Sequence, residues 1–436
     1  MGCRLRAVHP LAEVALMKSS ILFPLLLCAV AGCRTYTPAP VDWEQERAAW
    51  TAQSAEPRDM TLAEAKQYAL FLNPEINALR VRHLASSNAV RQTGWWDDPE
   101  LDVDALRFIK GVPHPWILGS SLAFTIPVNG VPALERKAAE AYTFADACAI
   151  IVAERALMAD VERAWVQFEY TQKRFLFLLQ HVFAFQREAV VAQALFFASE
   201  LDATEWKRIE LENKRLETEL LNAKGRVEAQ SRALLQLLGF HPSASVWFDV
   251  DASGDAQAPA VTPTEDALVR HPRVQEKLAR LGATEADLRT EIRRQYPNIR
   301  IGPALQSEEG LTRAGLTFGL TLPLWNRNRK AIAEAEGARQ SARIEALNEW
   351  KRLVSELETA QEMLRLSETN ERLRREMELP AALRSLDAIK SLYEVGEADV
   401  VALLAALQTY AAVWMDWLDA KQAVREAQIS VRYFAE

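Results

Sequence analysis

Residues Leu118–Val128 read LGSSLAFTIPV, and residues Ala314–Leu324 read AGLTFGLTLPL. In the first stretch Leu118, Leu122, Phe124 and Ile126 fall on one side, with Ser120 the exception. Gly119, Ser121, Ala123 and Thr125 fall on the other. In the second, Leu316, Phe318, Leu320 and Leu322 oppose Gly315, Thr317, Gly319 and Thr321. A period of two predicts strands with one apolar face and one small or polar face. Each strand ends near a proline, Pro127 or Pro323, and a very long helical pattern follows.

The likeness extends outward at a nearly constant offset. Asn73-Pro74 and His271-Pro272 lie 198 residues apart, and so do Pro99 and Pro297. Pro127 and Pro323 are 196 apart, Asp202 and Asp399 197 apart. Four landmarks in one order indicate an internal duplication. The repeat is too long for a solenoid unit. Each half is expected to run helix, strand pair, long helix, returning helix.

A chain of 436 residues, 49% hydrophobic and 25% charged, can bury a large core. Its net charge of -8 gives no reason to expect nucleic acid as a partner. Residues 1–32 are expected to be a signal peptide. Lys18 precedes the apolar run Ile21–Val30, which is too short to span a membrane as a mature helix. Val30-Ala31-Gly32-Cys33 resembles the bacterial lipobox, which makes Cys33 the expected lipidation site. The next residue is Arg34, not Asp, which by the same resemblance implies sorting to the outer membrane. The other reading is ordinary secretion with an incidental Cys33. Cys148 would be left alone in the mature chain, so there is no disulfide framework.

Residues 33–60 are expected to be an extended arm. The first repeat spans 61–240. Thr61 and Glu64 predict a capping box, and Pro74 a helix restart. A hairpin follows over 100–127, with Leu101, Val103 and Ala105 opposing Asp102, Asp104 and Leu106. A long helix spans 132–197 and a return helix 203–238. No proline or glycine interrupts about 65 residues, a helix of roughly 100 Å. Residues 241–263 form a connector, with a short ordered piece at Val246–Val250. The second repeat spans 264–430. It has a helix capped by Thr264, a hairpin over 298–323, a long helix over 328–393 and a return helix over 399–429. Pro303 predicts an edge or distorted strand position. Gln306–Arg313 reads as a polar loop, and Pro380 as a kink.

Strands of this length, tilted, cross a bilayer. Four strands cannot close a barrel, and open edges cannot lie in lipid. Several copies must then share one barrel. Ser121, Thr125, Thr317 and Thr321 would line its lumen, with charge from Asp102, Asp104 and Arg300. The alternative is two hairpins packed on a helical body, in a lipid-anchored periplasmic coiled-coil scaffold.

Four motifs resemble the outer membrane efflux proteins, the channel-tunnels typified by TolC. They are Thr61–Ala65 with Leu70 and Asn73–Ile76 and Arg80; Phe124–Val128; Leu320–Trp325; and Tyr393–Gly396 with Asp399, Val400, Leu403 and Gln408. The resemblance covers about residues 61–428. It implies a homotrimer with a 12-stranded β-barrel in the outer membrane and a long periplasmic α-helical barrel. It implies an exit duct working with a periplasmic adaptor (membrane fusion) protein and an inner-membrane transporter, of proton-driven type. Pro323–Arg329 with Ala331–Glu336 is similar to the heavy-metal efflux branch; a drug duct or a type I protein secretion duct is the other cargo reading. The first tip, Ser199-Glu200-Leu201-Asp202, departs from the family's usual glycine, whereas Gly396 keeps it.

No catalytic constellation is visible, so no enzyme, cofactor or metal site is expected. The six histidines have no ligand spacing, and no phosphate-binding loop occurs. Trp95, Trp96, Trp116 and Trp325 fall near strand ends, as in an interfacial belt or in a core. The candidate functional residues are at the tips: Ser199, Glu200, Leu201 and Asp202, and Gly396, Glu397 and Asp399. Repeated around an axis, their carboxylates would favour cations and help gate. The plainer reading is that the turn acids cap the returning helices. Where the family often carries a further acid, this chain has Ala402.

Overall fold

The computed structural model describes residues 36–53, 58–109, 116–250, 264–308 and 311–435. The signal segment, Cys33 and most of the connector lie outside the described residues.

Residues up to Gln53 form a unit of their own. The expected extended arm is corrected here, because it contains helix α1 (Trp43–Gln53). Asp42 starts it by accepting hydrogen bonds from the Glu44 and Gln45 amides, both at 3.1 Å, a side-chain cap that satisfies the first turn.

In the second unit, β1 (Arg58–Met60) leads into α2 (Leu62–Leu72) and α3 (Pro74–Gln92). The Thr61–Glu64 capping box forms in both directions. Asn73 caps α3 by accepting from the Glu75 and Ile76 amides. Strands β2 (Glu100–Arg107) and β3 (Trp116–Ile126) follow, then α4 (Val131–Phe197), α5 (Ala203–Leu237) and β4 (Val246–Phe248). β4 pairs in parallel with β1, joining the connector to the start of the unit.

The second half repeats the order. It comprises α6 (Glu265–Leu268), α7 (Pro272–Arg293), β5 (Ile299–Glu308), β6 (Leu311–Leu320) and α8 (Arg329–Leu373). One turn of π-helix, Arg374–Glu378, joins α8 to α9 (Leu379–Glu394), and α10 (Val400–Ala435) returns. The π-turn stands where Pro380 predicts a kink. Proline has no amide hydrogen to donate and crowds the carbonyl four residues back, so the backbone widens by one residue per turn instead of breaking. Thr264 precedes α6, but its side chain makes no capping hydrogen bond, which corrects the expected cap. Only one turn of helix forms there before His271-Pro272 restarts the chain.

The 67 residues of α4 make a helix of about 100 Å. Three clusters of buried side chains hold the helices along it. Trp165, Val161, Leu234, Leu238, Phe240 and Met60 form the core of the first half. Val166, Tyr170, Leu418 and Ile429 join α4 to α10. Phe185, Ala192, Ile209, Val400 and Leu404 pack the two tip hairpins together. α10 is long and apolar enough to cross a membrane, yet Val400, Leu403, Leu404, Leu418 and Ile429 are buried against the other helices.

The four long strands form one antiparallel sheet in the order β2-β3-β5-β6. β3 and β5 meet across the repeats, so the sheet is a single surface built from both halves. Its two outer strands, β2 and β6, have no neighbour on their far side among the described residues. One expectation changes. The residues read as a polar loop, Gln306–Arg313, are mostly strand: Gln306 pairs with Arg313, Ser307 with Thr312 and Glu308 with Leu311. Polar side chains do not stop a ladder that neighbouring backbone completes. Of the two positions expected for Pro303, an edge or a distorted one, it takes the distorted one, on a central strand. It interrupts the β3–β5 ladder, which skips from Ser121↔Ala304 to Phe124↔Ile301. Gly302 makes the close approach there: a Cβ on it would lie 1.7 Å from the Leu122 carbonyl oxygen.

Candidate channel lining and tip

Directly paired residues of an antiparallel ladder point to the same side. The register therefore sorts the sheet into two faces. Asp102 pairs with Ser121 and Asp104 with Gly119. Thr125 pairs with Arg300 and Ser121 with Ala304, Arg300 with Gly319 and Gly302 with Thr317. Six of the seven residues expected to line a lumen thus share one face: Asp102, Asp104, Ser121, Thr125, Arg300 and Thr317. Thr317 donates a hydrogen bond to the Gly302 carbonyl at 3.1 Å. Thr321 lies one residue past the end of β6, outside the strand. It still joins Thr125 and Arg300 in lining a cleft of about 620 Å³ at the helix end of the sheet.

Periodicity alone missed further charges on this face. Glu100 lies 3.5 Å from Arg300, and Glu308 3.5 Å from Arg313. Parity with Asp102 marks Glu100. Glu308 and Arg313 were hidden by being read as loop.

The opposite face carries Leu101 and Val103 of β2, Leu118, Leu122 and Phe124 of β3, Ile301 of β5, and Leu316, Phe318 and Leu320 of β6. None of the described residues of the unit covers it. Leu316 is 77% exposed, Val103 69%, Phe318 68% and Leu101 60%. The hairpins are not packed on the helices. Trp95, Trp96 and Trp325 are exposed at the helix end of the sheet, and Trp116 at the far end. A core role is ruled out for all four. Across the far end, the Arg107 guanidinium stacks 5.6 Å over the Trp116 ring, a cation–π contact.

The helix ends of the sheet are tied together. The Asn129 amide donates to the Tyr296 carbonyl at 3.2 Å. Arg294 bridges Glu135 and Glu291, each at 2.6 Å. Asn328 donates to the Glu291 carbonyl and carboxylate. The two strand-to-helix junctions therefore form one collar.

The tips lie at the far ends of the long helices. At the first, Ser199 takes the left-handed backbone conformation, φ 60°, and the Glu200 amide donates to the Leu195 carbonyl at 2.9 Å. At the second, Gly396 has φ 78°, and the Glu397 amide donates to the Leu392 carbonyl at 2.8 Å. Both are left-handed helix stops that satisfy otherwise orphaned carbonyls. Leu201, like Leu195, Trp206 and Tyr393, is partly buried and packs against the tip cluster. Asp202 accepts from the Thr204 amide at 3.0 Å, and Asp399 from the Ala402 amide at 2.7 Å. Hydrogen bonds from Thr204 hold the Asp202 carboxyl below the usual carboxylate range. The capping role of the tip acids is thus present in the geometry. Among the described residues no group of three or more His, Cys, Asp or Glu could hold a metal ion.

This architecture has relatives among solved structures. A membrane protein from Pseudomonas aeruginosa superposes with a TM-score of 0.73 at 18% identity, over 92% of this chain and 96% of that one. CusC gives 0.72 at 15% identity, over 92% and 94%. The outer membrane protein VceC from Vibrio cholerae gives 0.71 at 14%, over 86% and 95%.

The fold is that of the TolC-like outer membrane channels.

Sequence likeness agrees with it over the second half. Residues 264–434 match the family described as outer membrane efflux protein. No curated protein sequence matches the chain. The TolC-like fold gives the two sheet faces and the two tips their places: a sheet segment at one end of long paired helices, and turns at the other.

Proposed function

We propose that this chain is the outer-membrane channel of a TolC-like efflux system, a passive duct and not an enzyme. Its sheet crosses the outer membrane and its helices extend into the periplasm. One observation carries the reading. A sheet of strands 8 to 11 residues long exposes a continuous apolar face on one side and a polar, charged face on the other. Strands of that length suit a tilted bilayer crossing. The two unpaired edges require copies of the same chain to complete the wall. A homotrimer would close it with 12 strands. Asp102, Asp104, Ser121, Thr125, Arg300 and Thr317 would then line the lumen.

The finer parts of the proposal rest on sequence. Cys33 carries the lipid anchor. A periplasmic adaptor docks near the Ser199 and Gly396 tips, and a proton-driven inner-membrane transporter supplies the energy. Glu200, Asp202, Glu397 and Asp399 ring the narrow end. The motif from Pro323 to Glu336 resembles the heavy-metal efflux branch, which makes heavy-metal cations the first cargo reading; drugs, or the proteins of a type I secretion system, are the others.

The test is planar-bilayer conductance of the purified protein beside a Cys33→Ala form. Conductance steps from both forms support a pore that lipid only tethers. A Cys33→Ala form that is a water-soluble monomer without conductance would overturn the channel in favour of the scaffold.

A further inference from the structure

A small cavity lies between the two repeats, well away from the sheet and the tips. It measures about 50 Å³, and its polar lining is Lys66 of α2, Arg155 and Glu162 of α4, and Arg432 and Tyr433 of α10. Three of these side chains are cations and one is an anion.

Glu162 is buried, and both its oxygens are engaged. Oε2 accepts from Lys66 Nζ at 2.5 Å, and Oε1 from Arg432 Nη1 at 2.9 Å. It balances one positive charge of the three. Arg155 has no hydrogen-bond or ion-pair partner among the described residues. Arg432 Nη2 is buried and also has none. The Tyr433 ring packs on His271 at a centroid distance of 5.7 Å. His271 Nδ1 accepts from the Arg273 amide at 3.3 Å, and the imidazole is turned toward the Tyr433 backbone.

A buried donor without an acceptor, as at Arg432 Nη2, costs free energy, and three part-buried cations around one carboxylate leave the pocket with a net positive charge. One small anion answers both. A cavity needs only about 10–15 Å³ to admit a water-sized sphere, so this one has room for an anion of chloride size. We propose that the cavity binds chloride, held by Arg155, Arg432 Nη2 and Lys66. The site joins α2 of the first repeat to the end of the second, so chloride would act as an ionic rivet between them. The inference does not depend on the channel reading.

The test uses the purified full chain. Melting temperature is followed as sodium gluconate is replaced by sodium chloride at constant ionic strength, which removes screening as a variable. Wild type should rise by several degrees and saturate, as binding to the folded state alone requires. Arg155→Gln should show no rise. Crystals soaked in bromide should give an anomalous peak in the cavity. A wild type indifferent to chloride, a response retained in Arg155→Gln, or a bromide-soaked cavity without a peak each overturns the proposal. If Arg155→Gln does not fold, the bromide measurement on wild type decides alone.

Discussion

Ser199 and Gly396 stand 197 residues apart and occupy the same backbone conformation, with φ of 60° and 78°. Each ends the descending helix of its repeat. Glycine takes this region freely, whereas a side chain pays a steric cost of roughly 1–2 kcal/mol. Gly396→Ala should therefore destabilise the second tip by about 1 kcal/mol. Ser199→Gly should cost nothing. Urea midpoints of the two variants against wild type check both.

Asp202 and Asp399 separate capping from charge. Alanine at either position removes the acceptor for the Thr204 or Ala402 amide and should cost about 1 kcal/mol. Asparagine keeps an acceptor and loses the charge. Asp202→Asn and Asp399→Asn should then melt like wild type while the cation preference of the channel falls. Reversal potentials in a salt gradient read the second effect. Unchanged selectivity in both would leave the acids as caps and nothing more.

His271 is the counterpart of Asn73, 198 residues earlier, and both cap the helix that begins at the next residue. Burial, helped by Arg155 and Arg273 and opposed by a hydrogen bond to the Tyr433 backbone and by Glu349, pushes His271 down to about 4. A depressed folded-state pKa means the unfolded chain takes up the proton first. The contribution of His271 is thus full above about 6.5 and fades as pH falls toward 4. His271→Asn should keep the cap and flatten the stability profile over that window. Urea titrations at several pH values measure it.

Gly302 and Gly315 both belong to the sheet, but only one is crowded. A Cβ at Gly302 would strike the Leu122 carbonyl, while one at Gly315 meets nothing within 4 Å. Gly302→Ala should break the seam between repeats and abolish heat-stable oligomers on a gel. Gly315→Ala should leave them intact.

Leu316 and Thr317 are neighbours on β6 that point to opposite faces. On the proposed reading, arginine at Leu316 would face hydrocarbon and should cost about 2–4 kcal/mol near mid-membrane. Arginine at Thr317 would face the lumen. Outer-membrane yield should drop for Leu316→Arg and hold for Thr317→Arg, whose conductance should change instead. Equal yields for both would remove the lipid-facing assignment.

The sequence was most legible where one period ran unopposed. The alternation at Leu118–Ile126 identified its strand and both faces. The absence of glycine and proline after Pro132 marked α4 almost to the residue. Legibility failed where local chemistry and the ladder disagreed. Gln306–Arg313 is polar along its length, so nothing in it announces strand; its pairing comes from backbone alone. Pro303 announced an edge or a distorted position and no more, because the break in the β3–β5 ladder that decides for distortion is a tertiary fact. Helix α1 was hidden in a stretch with no apolar period, although Asp42 followed by Glu44 and Glu46 was a readable start signal. Ser199 reads as a substitution away from glycine, yet it keeps the glycine's conformation. The tip acids could be read equally as caps or as a ring, and only the hydrogen bonds to Thr204 and Ala402 fix the first role.

If the sheet spans the outer membrane as proposed, the bare edges of β2 and β6 bear on how the protein gets there. A lone chain placed in hydrocarbon would carry two rows of unsatisfied amides and carbonyls, each costing several kcal/mol. No stable single-chain intermediate can exist at that depth. Insertion and assembly are then one event, of kinetic order greater than one in protein. Halving the supply of chain should slow insertion by more than half.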